Sequence, residues 1–427
     1  MRFHSTRSNE TSVGISEAMQ IGLAPDDGLF VPEYFPQIQW KTLDKKMTYP
    51  QFAVNVLAPY FKGDELLPQL NDISDEAFNF DLPLRCLDKN NYILELFHGP
   101  TLSFKDFGAR FLASCLSRIK SHKLFTILVA TSGDTGSAVA AAFHNKPNIR
   151  VIVLYPKGKI SLRQQKQITC WGDNILAIAV NGRFDDCQRL VKAAFNDEYW
   201  QKRTVLNTAN SINIGRLLPQ STYYAYTSWQ YHHATGNFAN FIVPSGNVGN
   251  ISAAFWAKKM GFPIEHIILA QNANNIVGEY VTTGKYTPKE SIETLANAMD
   301  VGKPSNFERL QYLYPNYEAF IDEIFVVKAN DDEISQTIKK VYRHYHEIIC
   351  PHTATAFYAR EHLDKDKPYI MIATAHPAKF EQIIEPILKQ NVAPTKQLKA
   401  LIQREHYNVT IDATMQDLIA ADRCYFR

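Results

Sequence analysis

From Leu124 onward the sequence alternates short β-branched runs with longer amphipathic stretches, a pattern that confines it to folds in which helices cover a mostly parallel sheet. The runs FTILVA (125–130), VIVLY (151–155), ILAIAV (175–180), NFIVP (240–244), HIILA (266–270), EIFVV (323–327) and YIMIAT (369–374) predict strands. Phe107, Phe111, Cys115 and Ile119 recur every four residues and mark the buried face of a helix. Ile334, Ile338, Val341, Tyr345 and Ile348 mark another, behind the acidic start Asp331, Asp332 and Glu333 that suits the positive end of a helix dipole.

The 427 residues are enough for about two or three domains at roughly 150 residues each. Residues 1–82 lack the later alternation: Pro25-Asp26-Asp27-Gly28, with Pro32 and Pro36 close behind, punctuates short segments. They read as a separate N-terminal domain, with a boundary between 80 and 90. The polar stretch between 275 and 320, rich in Asn and Tyr, reads as an insertion or lid. No internal repeat points to a solenoid.

Charge narrows the function classes. Lys and Arg number 45 against 43 Asp and Glu, a net charge of +2, which argues against binding nucleic acid by bulk charge and leaves room for a small anion held by local donors. Six cysteines without a CxxC pair read as reduced thiols of a cytoplasmic protein. Apolar runs such as Ala138–Phe143 reach only six residues, far short of the ~20 that span a bilayer. The opening MRFHSTRSNE lacks the apolar stretch of a signal peptide, so neither export nor membrane insertion is expected. Dinucleotide, P-loop and nucleophile-elbow fingerprints are absent, and His346-Glu347 meets Cys350 where a zinc helix needs a second histidine.

Three segments do carry anion chemistry. Thr131-Ser132-Gly133-Asp134-Thr135-Gly136 follows one strand and opens a small-residue helix, so hydroxyls and free N–H groups converge at a helix N-terminus. Ser245-Gly246-Asn247-Val248-Gly249-Asn250 repeats that arrangement after another strand and can form a phosphate cup. Asn210-Ser211-Ile212-Asn213-Ile214-Gly215-Arg216 places Asn213 and Arg216 at helical spacing, with a forked cation suited to phosphate. Each is also compatible with an ordinary capped turn; two glycine loops at strand ends of one α/β fold are more informative, because ligands gather there. Lys105 stands among Phe97, Phe104 and Phe107. An apolar setting lowers a lysine pKa and makes the amine a nucleophile for an aldehyde cofactor; alternatively its stem covers the aromatics while the ammonium reaches water or Asp106.

HGPTLSFKDFGARF, TSGDTGSA, LYPKGKIS, NSINIGR, PSGNVGN and TAHPAKF, in this order, closely resemble the threonine synthase family, and MRFHSTR and GLAPDDGLFVPE resemble its extra N-terminal domain. The resemblance implies an α/β chain of two-lobed tryptophan synthase β-like architecture (fold type II), with domains at 1–82 and 83–427 and a second lobe at roughly 106–210. It implies pyridoxal 5'-phosphate as cofactor, Lys105 as the lysine that bonds it and shuttles protons, and Gly246, Asn247, Val248, Gly249 and Asn250 around its phosphate. Thr374 matches the neutral hydroxyl facing the ring nitrogen. Thr131, Ser132, Gly133, Asp134 and Thr135 match the loop for the substrate carboxylate. Relatives in the wider fold carry Asn at the position of Asp134, and an aspartate there would repel a carboxylate, so Asp134 is expected to point away or to hold backbone. Asn210, Ser211, Asn213 and Arg216 match the element that approaches the substrate phosphate, with Lys157, Lys159, Ser161 and Arg163 adding charge.

The activity implied is conversion of O-phospho-L-homoserine and water to L-threonine and phosphate by γ-elimination and β-addition of water, the last step of threonine biosynthesis, with no obligatory protein partner. Two rivals share part of this pattern. A threonine or serine dehydratase has Lys105 and the glycine loops without needing Asn213 and Arg216 for a phosphate; a non-catalytic phosphate-ligand binder has no need of Lys105.

Overall fold

The chain is described by a computed structural model over residues 1–120 and 124–426. Its strands in chain order are β1 (Phe3–Ser5), β2 (Phe30–Pro32), β3 (Leu84–Asp88), β4 (Asn91–Glu95), β5 (Phe125–Ala130), β6 (Ile149–Pro156), β7 (Ile175–Asn181), β8 (Val205–Asn207), β9 (Ala239–Pro244), β10 (Ile264–Gln271), β11 (Phe325–Lys328), β12 (Tyr369–Ala373) and β13 (Asn408–Asp412). Among them are all seven strands expected after Leu124. β1 and β2 form an antiparallel pair, and the other eleven divide into a six-stranded sheet, ordered β11-β10-β9-β12-β4-β3, and a five-stranded one, ordered β13-β7-β6-β5-β8. All pairings in the second sheet are parallel, and in the first only β3 runs against its neighbour. β5, β6, β9 and β12 are buried along their whole length, as parallel strands covered on both faces require.

Several boundaries differ from expectation; Ile119, for one, lies beyond Leu116, where the helix Lys105–Leu116 ends. Glu323 ends the helix Tyr317–Glu323, so β11 begins two residues later than EIFVV implies. Ile348 lies outside the helix Asp331–Tyr345, because His346 turns left-handed at φ 57° and ends it. The acidic start is a capping box: Asn330 Oδ1 accepts from Glu333 N at 2.9 Å while Glu333 Oε2 accepts from Asn330 N at 2.7 Å. The five-stranded sheet also extends beyond 106–210, since β13 returns from the C-terminal segment to pair with β7, Asn408 opposite Ala177.

The N-terminal segment shares its core with the rest of the molecule. Phe3, Phe30, Phe52, Tyr60 and Phe61 are fully buried and belong to one apolar cluster with Phe107, Phe111, Tyr223 and Trp229. The helix Gln220–Thr235 explains this sharing. It is buried nearly all round, and such a helix needs a cover on every side. The helix Tyr49–Leu57 provides one side: the Phe52 ring lies tilted 5.0 Å from that of Trp229, and Tyr49 OH meets Thr222 Oγ1 at 2.6 Å. At roughly 1.5–3 kcal/mol per fully buried large apolar side chain, those five aromatics are worth on the order of 10 kcal/mol, comparable to the net stability of a whole domain.

Candidate active site

Four segments meet where strands of both sheets end: the stretch after β4 leading to Lys105, the turn after β5, the turn after β9 and the exit from β12. Phe104 N donates to Thr374 O at 2.9 Å, and Ser103 bridges to Ala375, so Lys105 opens its helix (Lys105–Leu116) fixed against the end of β12. The amine is pushed down from its usual value to about 8. Burial does most of this, Asp134 opposes it, and Lys379 and Arg216 add to it. Asp106 does not neutralise Lys105. Its carboxylate accepts instead from Thr101 N at 2.9 Å and Thr101 Oγ1 at 2.6 Å.

The turn after β5 is built around Gly133, whose φ of 132° is available to almost no other residue. Thr131 Oγ1 accepts from Gly133 N at 2.9 Å and Gly136 N at 2.8 Å, closing the loop on itself. Thr131 therefore shapes the turn through its hydroxyl oxygen, and neither of these bonds uses its hydroxyl hydrogen. Ser132 and Thr135 remain half-buried. Asp134 is buried, with Oδ1 held by Lys379 Nζ at 2.7 Å and Gln164 Nε2 at 2.9 Å. Burial alone would raise its pKa, but Lys379, Lys105 and His352 outweigh that and hold the carboxyl well below the usual range. Of the two expectations, that Asp134 points away or that it holds backbone, the bonds found here are to the side chains of Lys379 and Gln164.

The turn after β9 is tighter. A Cβ on Gly246 would stand 2.5 Å from Met299 Cα, so only glycine fits that approach. Val248 is held left-handed at φ 47°, ψ 14°, a sparsely populated region for a β-branched residue, just before Gly249 opens the helix Gly249–Lys259. Asn247 Nδ2 donates to Ser211 Oγ at 2.8 Å, which ties this turn to the Asn210–Arg216 element. Asn250 Oδ1 accepts from Tyr223 OH at 2.5 Å and Tyr224 OH at 2.8 Å, while its Nδ2 is buried without a partner.

In the Asn210–Arg216 element the residues divide by role. Asn213 caps the short helix Ile214–Leu217 through its Oδ1, and its Nδ2 faces Met19 O, Asn207 Oδ1 and Thr208 O at 3.0, 3.2 and 3.2 Å. Both ends of that amide are committed, so Asn213 positions the loop instead of sharing a ligand face with Arg216. Ser211 Oγ accepts from Asn247 and from Asn306, the latter at 3.0 Å. Asn210 Oδ1 is buried without a partner. Arg216 donates Nη1 to Ala209 O, leaves its buried Nε unpaired, and is pushed by burial down to about 10 against a small opposing effect of Asp106.

The 157–163 segment departs furthest from expectation. Lys157 is exposed, and Lys159 lies on the surface beside Glu293. Ser161 Oγ accepts from Gln164 N at 3.1 Å and donates to Lys379 O at 3.0 Å, while Arg163 Nη1 donates to Ala378 O at 2.6 Å and Val392 O at 3.0 Å. Charge here is spent on solvent and on fastening the 377–379 turn, so Lys157 and Ser161 do not join the buried cluster.

Comparison with known proteins decides what this cluster belongs to. Residues 83–375 match the family described as pyridoxal-phosphate dependent enzyme, residues 2–78 the threonine synthase N terminus, and residues 353–421 the threonine synthase C-terminal region. Threonine synthase of Buchnera aphidicola subsp. Schizaphis graminum is 39% identical over 406 residues, 93% of this chain and 94% of the relative. The crystal structure of threonine synthase from Escherichia coli superposes with a TM-score of 0.92 at 36% identity, covering 99% of this chain and 100% of that one. The chain belongs to the threonine synthase family. Pyridoxal-phosphate-bound threonine synthase from Brucella melitensis superposes equally well, with a TM-score of 0.92 at 33% identity, covering 100% of this chain and 99% of that one.

Like other threonine synthases, this is a pyridoxal-phosphate-dependent lyase of fold type II, and the dehydratase reading is not favoured. Its cluster fits the cofactor. A lysine with a depressed pKa is available for an aldehyde, and the orphaned Asn250 Nδ2 and the first-turn N–H groups of Gly249–Lys259 are donors in want of an acceptor. No helix among the described residues is long and apolar enough to cross a membrane.

Several contributors were not singled out from sequence. Lys379 is fully buried at the heart of the cluster, and it lies in the TAHPAKF motif, where its proximity to Thr374 was the available signal. Gln164 sits three residues after Ser161 as the other half of a capping box. His352, buried with Nε2 accepting from Ala298 N at 3.0 Å, has no local motif to announce it.

Proposed function

We propose that this threonine synthase converts O-phospho-L-homoserine and water to L-threonine and phosphate in the cluster around Lys105, acting in the cytoplasm on a small molecule, without nucleic acid, membrane or an obligatory protein partner. Residues 1–82 form the N-terminal domain and 83–427 the catalytic body, whose second lobe takes roughly 106–210 together with β13. Bound pyridoxal phosphate supplies an electron sink for the charge that develops at the substrate Cα.

The chain supplies everything else. Gly246, Asn247, Val248, Gly249 and Asn250 hold the cofactor phosphate, and Thr374 serves the ring nitrogen with a neutral hydroxyl. Lys105, with its amine near pKa 8, is neutral often enough at physiological pH for Nζ to take a proton from Cα and return it later. Ser132, Gly133 and Thr135, at the start of the helix Asp134–Phe143, receive the substrate carboxylate. Asn210, Ser211 and Arg216 receive the phosphoryl group and keep it in place while it departs from Cγ and water adds at Cβ. Thr131 and Asn213 hold these loops in shape.

The carrying observation is the convergence of Lys105, its pKa depressed by burial, with an arginine that has no carboxylate bonded to it. The test is phosphate release from O-phospho-L-homoserine matched mole for mole by L-threonine. Lys105→Ala should abolish it, by roughly a thousandfold or more, with loss of the visible band of the lysine-bound cofactor. Turnover without Lys105, or release of a keto acid in place of threonine, overturns the assignment.

A further inference from the structure

Lys379 and the carboxylate it meets are both buried, at 0% and 3% exposure. Lys379 Nζ stands 2.7 Å from Asp134 Oδ1 and donates to Thr101 O at 2.8 Å, while Gln164 Nε2 donates to the same Asp134 oxygen at 2.9 Å. The lysine backbone is itself fastened, through Ser161 Oγ to Lys379 O at 3.0 Å and Arg163 Nη1 to Ala378 O at 2.6 Å. The pair is therefore a rigid unit, and Lys105 and His352 are the other ionisable groups whose charge Asp134 feels.

An aspartate in a loop assigned to another carboxylate is a contradiction unless its charge is cancelled. Like charges within about 4–6 Å in a partly desolvated site oppose each other's ionisation strongly. A neutral amide at the same position would raise no such conflict. We infer that Lys379 is a positioning residue for substrate recognition: as the counter-ion of Asp134 it allows the Ser132–Thr135 loop to accept the substrate carboxylate, an inference that rests on the loop assignment proposed above. Two of the three ammonium hydrogens have acceptors in Thr101 and Asp134, so Lys379 acts through the loop and not as the main phosphate cation.

L-Threonine carries the carboxylate without the phosphoryl group, so its dissociation constant, read from the visible spectrum of the holoenzyme without turnover, isolates this loop. Inorganic phosphate as an inhibitor reports on the other anion site. Lys379→Met should weaken L-threonine binding roughly tenfold or more, because it strands a carboxylate beside the ligand. Asp134→Asn should have a smaller effect, and the double variant, with both charges removed, should return to within about threefold of the native value. Inhibition by phosphate should stay unchanged in all three. If the double variant binds L-threonine as poorly as Lys379→Met, or if phosphate inhibition moves and threonine affinity does not, the role assigned to Lys379 is overturned. Should Lys379→Met fail to fold, Lys379→Gln, which removes the charge and keeps an amide donor beside Thr101 and Asp134, takes its place in the same comparisons. Thr135→Val tests the loop separately: unchanged threonine affinity there overturns the carboxylate assignment, whereas weakened affinity with no rescue in the double variant overturns only the part played by Lys379.

Discussion

Arg216 carries a positive charge into a buried position with one backbone carbonyl for company and an unpaired Nε. A buried ion that no opposite charge compensates costs several kcal/mol, so a residue kept under those conditions is expected to serve a ligand that supplies the missing charge. Arg216→Gln should therefore raise the KM for O-phospho-L-homoserine by roughly ten- to a hundredfold, the value of one or two charge-assisted hydrogen bonds. Cofactor affinity should hardly change, and thermal stability should be equal or higher. Parallel loss of cofactor and substrate binding, measured by spectral titration and steady-state kinetics, would show that the arginine belongs to the cofactor site. At this scale the sequence marked where chemistry gathers better than which polar atoms remain free for it. Lys105 draws attention as a lysine among phenylalanines, but that setting equally suits a stem covering the rings, and its role comes from the resemblance of the surrounding motif. For Asn213 and Ser161 the sequence is silent, because a hydroxyl or amide that closes a turn is the same residue type as one that binds a ligand, and only the positions of Met19 O and Lys379 O reveal that their donors are already occupied.

Between elements, the joint is Arg309. Fully buried and without a carboxylate bonded to it, it directs Nε and Nη2 to Phe30 O, Nη1 to Ser211 O and Asn306 Oδ1, and Nη2 also to Ile212 O. Strand β2, the Asn210–Arg216 element and the helix Phe307–Leu313 are thereby fixed to one planar fork. A lysine offers a point charge with three donors and cannot span the same set. Arg309→Lys should raise the KM for the phosphorylated substrate by roughly tenfold and release hydrogen-exchange protection at Val31 and at Asn213, whose N–H donates to Asn210 O at 3.1 Å, at a cost of about 2–3 kcal/mol in stability. Retained protection at both positions would show that the loop is anchored elsewhere. The polar 275–320 stretch is thus in part a brace: residues 306–309 pack into the site. Which elements exist was readable wherever apolar runs are fully buried, as in β5, β6 and β9. β4 escaped notice although it lies between β12 and β3, because its apolar run is only Tyr92-Ile93-Leu94 between Asn91 and Glu95, and β13 did because it is an edge strand that exposes Val409.

The molecule as a whole is closed by the same economy of buried polar groups, and this sets its response to acid. His352 Nε2 and His376 Nδ1 each accept a backbone N–H, from Ala298 and Ala378, both at 3.0 Å, so both imidazoles are neutral in the native state. Burial pushes both down to about 4; for His352 Asp134 opposes this and Lys105 and Lys379 assist, while for His376 His98 and Lys379 assist and Glu95 opposes. In the unfolded chain the same groups titrate near pH 6.5, as exposed histidines do. Between these values the unfolded state binds up to two more protons than the native state. Their contribution is therefore intact above pH 6.5 and is lost as the pH falls toward 4, at a slope of up to about 2.7 kcal/mol per pH unit. Because the N-terminal segment and the catalytic body share one apolar cluster, this loss should appear as a single cooperative transition and not as the shedding of one domain. Urea unfolding of the holoenzyme at pH 7 and pH 5 measures it. Replacing both histidines by glutamine, which keeps an acceptor and removes the titration, should flatten the pH dependence by most of that slope; an unaltered slope would mean that the native imidazoles are already protonated, which their hydrogen bonds to Ala298 and Ala378 contradict.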